Sequence, residues 1–170
     1  MPINTPAEIH QYVVCADIFV KKGDRYLALK RSAQKKYAPN VVAPVGGKVD
    51  LNENPYEAVV REVEEEAGVK VKNIKLKAVI LELQPEKDEP YNWLVFHFSG
   101  EYESGEVIQT DEGELVWLTA EELKAAPLFP SVGQVIEHIL DPQSGTVFAT
   151  FSYKEHEASL EVQRIDACSR

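Results

Sequence analysis

The chain has 170 residues, 44% hydrophobic and 27% charged, enough for one globular domain spanning residues 1–170 with a buried core and little room for a second. Its 28 acids against 18 lysines and arginines leave a formal charge of −10. That excludes gripping a nucleic-acid polymer through its phosphates, an affinity that comes from clustered cations releasing counterions.

The first ten residues lack the basic start and apolar core of a signal peptide, and no window approaches a membrane span, so a cytoplasmic location is expected. Cys15 and Cys168 are too few for a disulfide framework and read as free thiols. Gln11 to Val20 and Arg25 to Arg31 are apolar-rich runs around Lys21-Lys22-Gly23-Asp24, a β-hairpin turning at Gly23. Val41 to Val45 reads as a short strand ending at Gly46-Gly47. Asn54-Pro55-Tyr56-Glu57 then combines an N-cap, a proline at the first helical position and a glutamate three residues after the cap. With Gly68 suited to a left-handed end, a helix is predicted over about 55–67.

Strands are predicted at Ile74 to Leu83 and Asn92 to Glu101, joined by the proline-containing loop Gln84 to Tyr91. His97 reads as a packed or paired strand residue. Glu114 to Leu118 runs into Thr119-Ala120-Glu121-Glu122, a capping box opening a short helix. Ser131 opens another, with Val135, Ile136, Ile139 and Leu140 on its apolar side. A C-terminal hairpin is predicted over about 146–164. Hairpins interrupted by helices give an α/β (α+β) class, a mixed β-sheet covered by helices.

The chemistry concentrates in the 55–67 helix. Val59, Val60, Val63 and Ala67 fall on one side, which is expected to face the core. Glu62, Glu65 and Glu66 stand at i, i+3 and i+4 and emerge on a neighbouring stripe. Such close carboxylates repel one another by about a few tenths of a kcal/mol per exposed pair, which stability alone would not favour. A divalent cation removes the conflict, and hard oxygen ligands suit Mg²⁺ or Mn²⁺ shared with substrate phosphates. Ala58 lies on the same stripe and is expected to leave room for the metal; Glu64 points away.

Gly47, Glu53, Arg61, Glu62, Val63, Glu65, Glu66, Gly68 and Val69 match every defined position of the signature G-x5-E-x7-R-E-U-x-E-E-x-G-U, where U is a bulky aliphatic. This segment, 47–69, resembles the box of the Nudix (MutT-type) hydrolases. The resemblance implies an α/β/α sandwich, here with an extra C-terminal hairpin, and attack of water on a nucleoside diphosphate linkage. It implies Glu62 and Glu66 as metal ligands and Glu65 as a further ligand or the base. Gly47 would offer its carbonyl to the metal, while Glu53 and Arg61 would pair to hold the loop against the helix.

Glu112, within Asp111-Glu112-Gly113-Glu114, resembles the later acid that relatives recruit as a further ligand; the alternative is a loop charge. Arg31 and Lys48 are candidate phosphate contacts. The Asp-Glu-Gly-Glu-Leu-Val-Trp run and the 146–162 tail resemble members that cleave oxidised purine nucleoside triphosphates such as 8-oxo-dGTP. That resemblance implies release of a monophosphate and pyrophosphate from a small nucleoside polyphosphate. The stretch Leu128-Phe129-Pro130-Ser131-Val132 departs from that subgroup, lacking the aspartate that reads the damaged base. Alternatives are hydrolysis of ADP-ribose, an NDP-sugar or a dinucleotide, or a non-catalytic nucleotide sensor, against which the complete box counts. Monomer and homodimer are equally compatible with the sequence.

Overall fold

The computed structural model describes residues 11–35, 38–86, 91–108, 110–154 and 157–166, with backbone alone for 154 and 157–166. Residues 1–10, part of the 84–91 loop and Cys168 lie outside the described residues.

The strands are β1 (Tyr12–Lys22), β2 (Arg25–Arg31), β3 (Val42–Ala43), β4 (Val45–Lys48), β5 (Val69–Leu83), β6 (Asn92–Gly105), β7 (Gly113–Thr119), β8 (Thr146–Lys154) and β9 (Glu157–Asp166). The helices are α1 (Pro55–Ala67), α2 (Ala120–Ala125) and α3 (Pro130–Leu140). The strands form one mixed sheet in the order β3-β2-β1-β6-β5-β8-β9, with β4 paired to β1 and β7 to β2. β1 runs antiparallel to β2 and parallel to β6, and the C-terminal pair β8–β9 is antiparallel. This is the mixed, helix-covered sheet that the alternation of elements predicts.

Each face of the sheet carries its own core. On one, Val59, Val63 and Ala67 of α1 pack against Ala16, Ile18, Val20 and Leu27. On the other, Leu123 of α2 and Val132, Val135, Ile136 and Ile139 of α3 meet Phe19, Ala78, Ile80 and Val147. Each fully buried aliphatic side chain contributes about 1.5–3 kcal/mol relative to its exposed state.

β1 changes partners along its length. Val20 to Lys22 pair with β2, whereas Cys15 to Ile18 pair with β4. The sheet therefore splits beside the N-terminal half of β1, where a cavity opens.

Three local expectations change. The single strand expected over Val41 to Val45 is two: β3 pairs with β2, and after Pro44 β4 pairs with β1 and runs through Gly46 and Gly47, opposite Asp17 and Ala16. Val60 is 36% exposed, whereas Ala58 is fully buried in the α1 core. The helix is rotated so that its apolar arc centres on Val59 and Val63, and Ala58 supplies packing rather than open space beside the acids. At α3, Phe129 occupies the N-cap position without a side-chain cap, Pro130 begins the helix, and Ser131 turns inward.

Lys77 of β5 is almost fully buried and donates to the carbonyl oxygens of Asp141 (2.7 Å) and Ser144 (2.8 Å). It thereby clamps the end of α3 and the turn into β8. Lys77→Met leaves both carbonyls without this donor and is expected to cost about 1–3 kcal/mol. Urea unfolding of the two proteins measures it, and equal midpoints would remove the clamp from the account.

Candidate active site

α1 begins where its local chemistry dictates. The Asn54 side chain accepts from the amides of Tyr56 (2.9 Å) and Glu57 (3.0 Å), and Glu57 returns a contact to the Asn54 amide (3.1 Å). Gly68, at φ 69°, closes the other end. These boundaries set the rotation of every acid between them.

Arg61 ties the preceding loop to the helix. Its Nε and Nη2 donate to the two carboxylate oxygens of Glu53, both at 2.9 Å, while Nη2 also reaches the Lys48 carbonyl at 3.2 Å. Nη1 donates to Glu62 (3.0 Å) and Glu65 (3.2 Å). Glu53 in turn accepts the Asp50 amide at 3.0 Å. Its bonds from Arg61, with that amide, hold the Glu53 carboxyl below the usual range. The same pair holds the Arg61 guanidinium firmly protonated.

Gly47 lets Glu62 approach the backbone closely. A Cβ there would lie 2.5 Å from Glu62 Oε1, so the carboxylate rests against bare backbone. Its neighbour Gly46, at φ 153°, lies against β1 so tightly that a Cβ would come within 2.2 Å of the Ala16 carbonyl oxygen. These glycines seat β4 between β1 and the acidic face of α1.

A cavity of about 620 Å³ opens at the split in the sheet. Glu62 and Glu66 line it from α1, Gly47 and Lys48 from β4, Arg31 from β2, and Glu112 from the β6–β7 connection. Glu65 does not line it; its side chain is 63% exposed and paired with Arg61. Glu53 and Arg61 stand behind the cavity, as the bracing pair. Glu112 is ion-paired with Lys35, and Arg31 Nε donates to the Ala38 carbonyl at 3.3 Å.

The electrostatics are those of acids lacking full compensation. Burial, then the carboxylates of Glu62 and Glu112, raises the Glu66 pKa from 4.5 to about 7. Burial also raises Glu62, against the pull of Arg61. Among the described residues no three His, Cys, Asp or Glu side chains already converge as a ligand cluster. Arg61 engages Glu62 and Lys35 engages Glu112. The donor set is nonetheless that of a hard divalent cation: carboxylates facing one cavity beside a glycine backbone.

The inner wall contains residues that composition did not single out as functional. His97 is 3% exposed, its Nδ1 lies 2.6 Å from Asp17 Oδ1, and its Nε2 is buried without a hydrogen-bond partner. Burial opposes its charge, but Asp17 outweighs it and raises the His97 pKa. Glu82, Trp93 and Ser131 line the same wall. Cys15 is there too, its thiol pushed up to about 12 by burial and so held protonated. Trp117 instead packs edge-on against Tyr102, with Lys22 over both rings.

The Glu66 shift has a definite sign. A carboxyl that binds its proton more tightly when folded makes the metal-free protein less stable as pH rises from about 4.5 to about 7. Glu66→Gln is expected to remove that part of the slope, read as thermal midpoints across the window. An unchanged slope would show that burial does not hold the Glu66 proton.

A NUDIX domain model matches residues 9–139. The uncharacterized Nudix hydrolase YvcI of Bacillus subtilis is 31% identical over 127 residues, covering 74% of this chain and 78% of YvcI. The NAD-capped RNA hydrolase NudC of Pseudomonas aeruginosa is 34% identical over 139 residues, 78% of this chain but 45% of NudC; the chain thus spans about half of that relative. Among solved structures, the mutator MutT protein of Bacillus halodurans aligns with a TM-score of 0.76 and 26% identity, covering 91% of this chain and 97% of that one. With its complete 47–69 box seated on this sheet, the chain belongs to the Nudix hydrolases and is a pyrophosphohydrolase of that family.

Proposed function

We propose that this hydrolase cleaves a nucleoside triphosphate to a nucleoside monophosphate and pyrophosphate, with Mg²⁺ or Mn²⁺ at the acidic face of α1. The observation that carries this reading is the continuity of the cavity, which joins the carboxylates of Glu62 and Glu66 to an inner chamber walled by strand residues. A polyphosphate can lie at the acidic end while the remainder of the nucleotide enters the chamber.

Glu62 and Glu66 would hold the cation from the helix, with Gly47 contributing its carbonyl oxygen and Glu112 joining from the β6–β7 connection. A cation so bound polarises phosphoryl oxygens and lowers the pKa of water. Arg61, braced on Glu53, keeps Glu62 at the cavity while the loop bearing Lys48 stays against the helix. Arg31 and Lys48 line the cavity as cations that can face phosphate oxygens. Glu65, exposed and paired with Arg61 outside the cavity, would have to leave Arg61 to accept a proton from the attacking water or to serve as an outer ligand. Water forms a bond to the α- or β-phosphorus and the bond from that atom to the α–β bridging oxygen breaks, so that pyrophosphate leaves in the first case and the monophosphate in the second, giving the same two products.

A second reading, cleavage of a dinucleotide or nucleotide-sugar diphosphate, is favoured by the 34% identity to an NAD-capped RNA hydrolase. Purified protein with Mg²⁺ is assayed against nucleoside triphosphates, ADP-ribose, UDP-sugars and NAD. Monophosphate and pyrophosphate from triphosphates are the expected dominant products. Dominant cleavage of the diphosphate-linked compounds, with triphosphates intact, overturns the first reading in favour of the second.

As the base, Glu65 accounts for a loss of about 10²-fold or more in kcat on Glu65→Gln at unchanged metal affinity. A loss that saturating metal restores assigns it as a ligand instead. Mn²⁺ titration followed by turnover separates the two roles.

A further inference from the structure

The three acids that face the cavity around the proposed cation are compensated in different ways. Glu62 is held by Arg61, whose fork is also fastened to Glu53 and to the Lys48 carbonyl. Glu66 is compensated by a proton, its pKa raised to about 7. Glu112 carries an ammonium, because Lys35 Nζ is ion-paired with its Oε2. Lys35 lines the cavity with Glu62 and Glu66, and its charge opposes the upward shift of Glu66, so it bears on the acidic face of α1 as well.

The backbones of this pair belong to one frame. The Ser32 amide donates to the Glu112 carbonyl (3.0 Å) and the Lys35 amide to the Ser32 carbonyl (3.1 Å), so a turn carries Lys35 away from the point that fixes Glu112. Thr110 Oγ1 accepts the Glu112 amide at 3.2 Å. Gly113 lies so close to β2 that a Cβ there would come within 2.2 Å of the Lys30 carbonyl oxygen. The main chain of Glu112 is thus held, whereas the Lys35 ammonium, a point charge on a flexible four-carbon stem, can swing. With side chains 30% and 38% exposed, Lys35 and Glu112 form a weak pair. Their ammonium still repels a divalent cation that approaches the same carboxylate.

We propose that Lys35 is an internal counter-ion of Glu112, displaced by the divalent cation and turned to the phosphate chain of the substrate, so that metal and polyphosphate bind cooperatively. Until the cation takes Glu112, the ammonium stays on that acid; afterwards it faces the cavity with Arg31 and Lys48. By linkage, phosphate that draws Lys35 away strengthens cation binding by the same factor. Lys35 is therefore a positioning residue for the metal and a binding residue for phosphate. This inference rests on the proposed role of Glu112 as a ligand, but its test does not depend on turnover.

Wild type, Lys35→Met, Glu112→Gln and the double variant form one cycle, with folding checked by thermal unfolding. Mn²⁺ binding without nucleotide is followed by electron paramagnetic resonance, and pyrophosphate binding without metal by ³¹P resonance. Lys35→Met is expected to bind Mn²⁺ about two- to fivefold more tightly, the worth of a partly exposed ion pair, and to lose most of that gain in the Glu112→Gln background. Pyrophosphate should show the converse. Lys35→Met weakens it little when Glu112 is present, but by about fivefold in Glu112→Gln, where the ammonium is already released. In ¹⁵N-lysine protein the Lys35 Nζ resonance, assigned by its loss in Lys35→Met, should move as Mg²⁺ saturates the wild type. Equal effects of Lys35→Met in both backgrounds, Mn²⁺ affinity unchanged or lowered in Lys35→Met, or an unmoved Nζ resonance overturns the counter-ion. Mn²⁺ binding that Glu66→Gln weakens leaves the metal site standing in that event. Both cycles as expected, in a protein that leaves triphosphates uncleaved, sink the proposed reaction while the counter-ion stands.

Discussion

The site depends on one guanidinium. Arg61 has five donors in a rigid plane, and it uses them to join the Glu53 carboxylate, the Lys48 carbonyl and the acids at 62 and 65. A lysine, with one compact charge, could not hold the 48–53 loop and the helix in a single register. Because the loop is fixed, Gly47 lies against Glu62, and because Glu62 is fixed, its charge bears on Glu66. The electrostatic tension of the cavity thus follows from a hydrogen-bond fork outside it.

The second constraint is the divided pairing of β1. A strand that kept β2 along its whole length would close the sheet; exchanging β2 for β4 at Cys15 to Ile18 opens it. The opening connects the acidic helix face with the opposite face of the sheet, which α3 covers. Cores on both faces keep the walls in place, and Lys77 fixes the end of α3. One cavity can therefore contain carboxylates suited to a cation at one end and buried polar groups, His97 and Glu82, in its wall at the other.

Local chemistry in the sequence reached far. The capping box at Asn54 and Glu57, the proline after the cap and the glycine at 68 predict α1 as observed, because helix ends are decided by groups within four residues of one another. The hairpins and the second capping box, at Thr119, are legible for the same reason. The rotation of α1 was less so: Val60 and Ala58 exchange their expected environments because the angle at which a helix meets a sheet is set by the sheet. Gly46 and Gly47 read as the end of a strand, but pairing with β1 draws them into one.

By itself, the sequence determined the family and the acidic constellation, since Gly47, Glu53, Arg61, Glu62, Glu65 and Glu66 lie within one loop and helix whose geometry is local. Only the tertiary structure decided which of those acids enter the cavity and which stands at its rim, with Glu62 and Glu66 inside and Glu65 outside. Only it joined Asp17 to His97 and Glu82 to Ser131, pairs 80 and 49 residues apart that no spacing rule connects. Metal chemistry is written in a short contiguous segment, whereas the cavity wall is assembled from strands and a helix distant in the chain, and so is fixed only when the sheet forms.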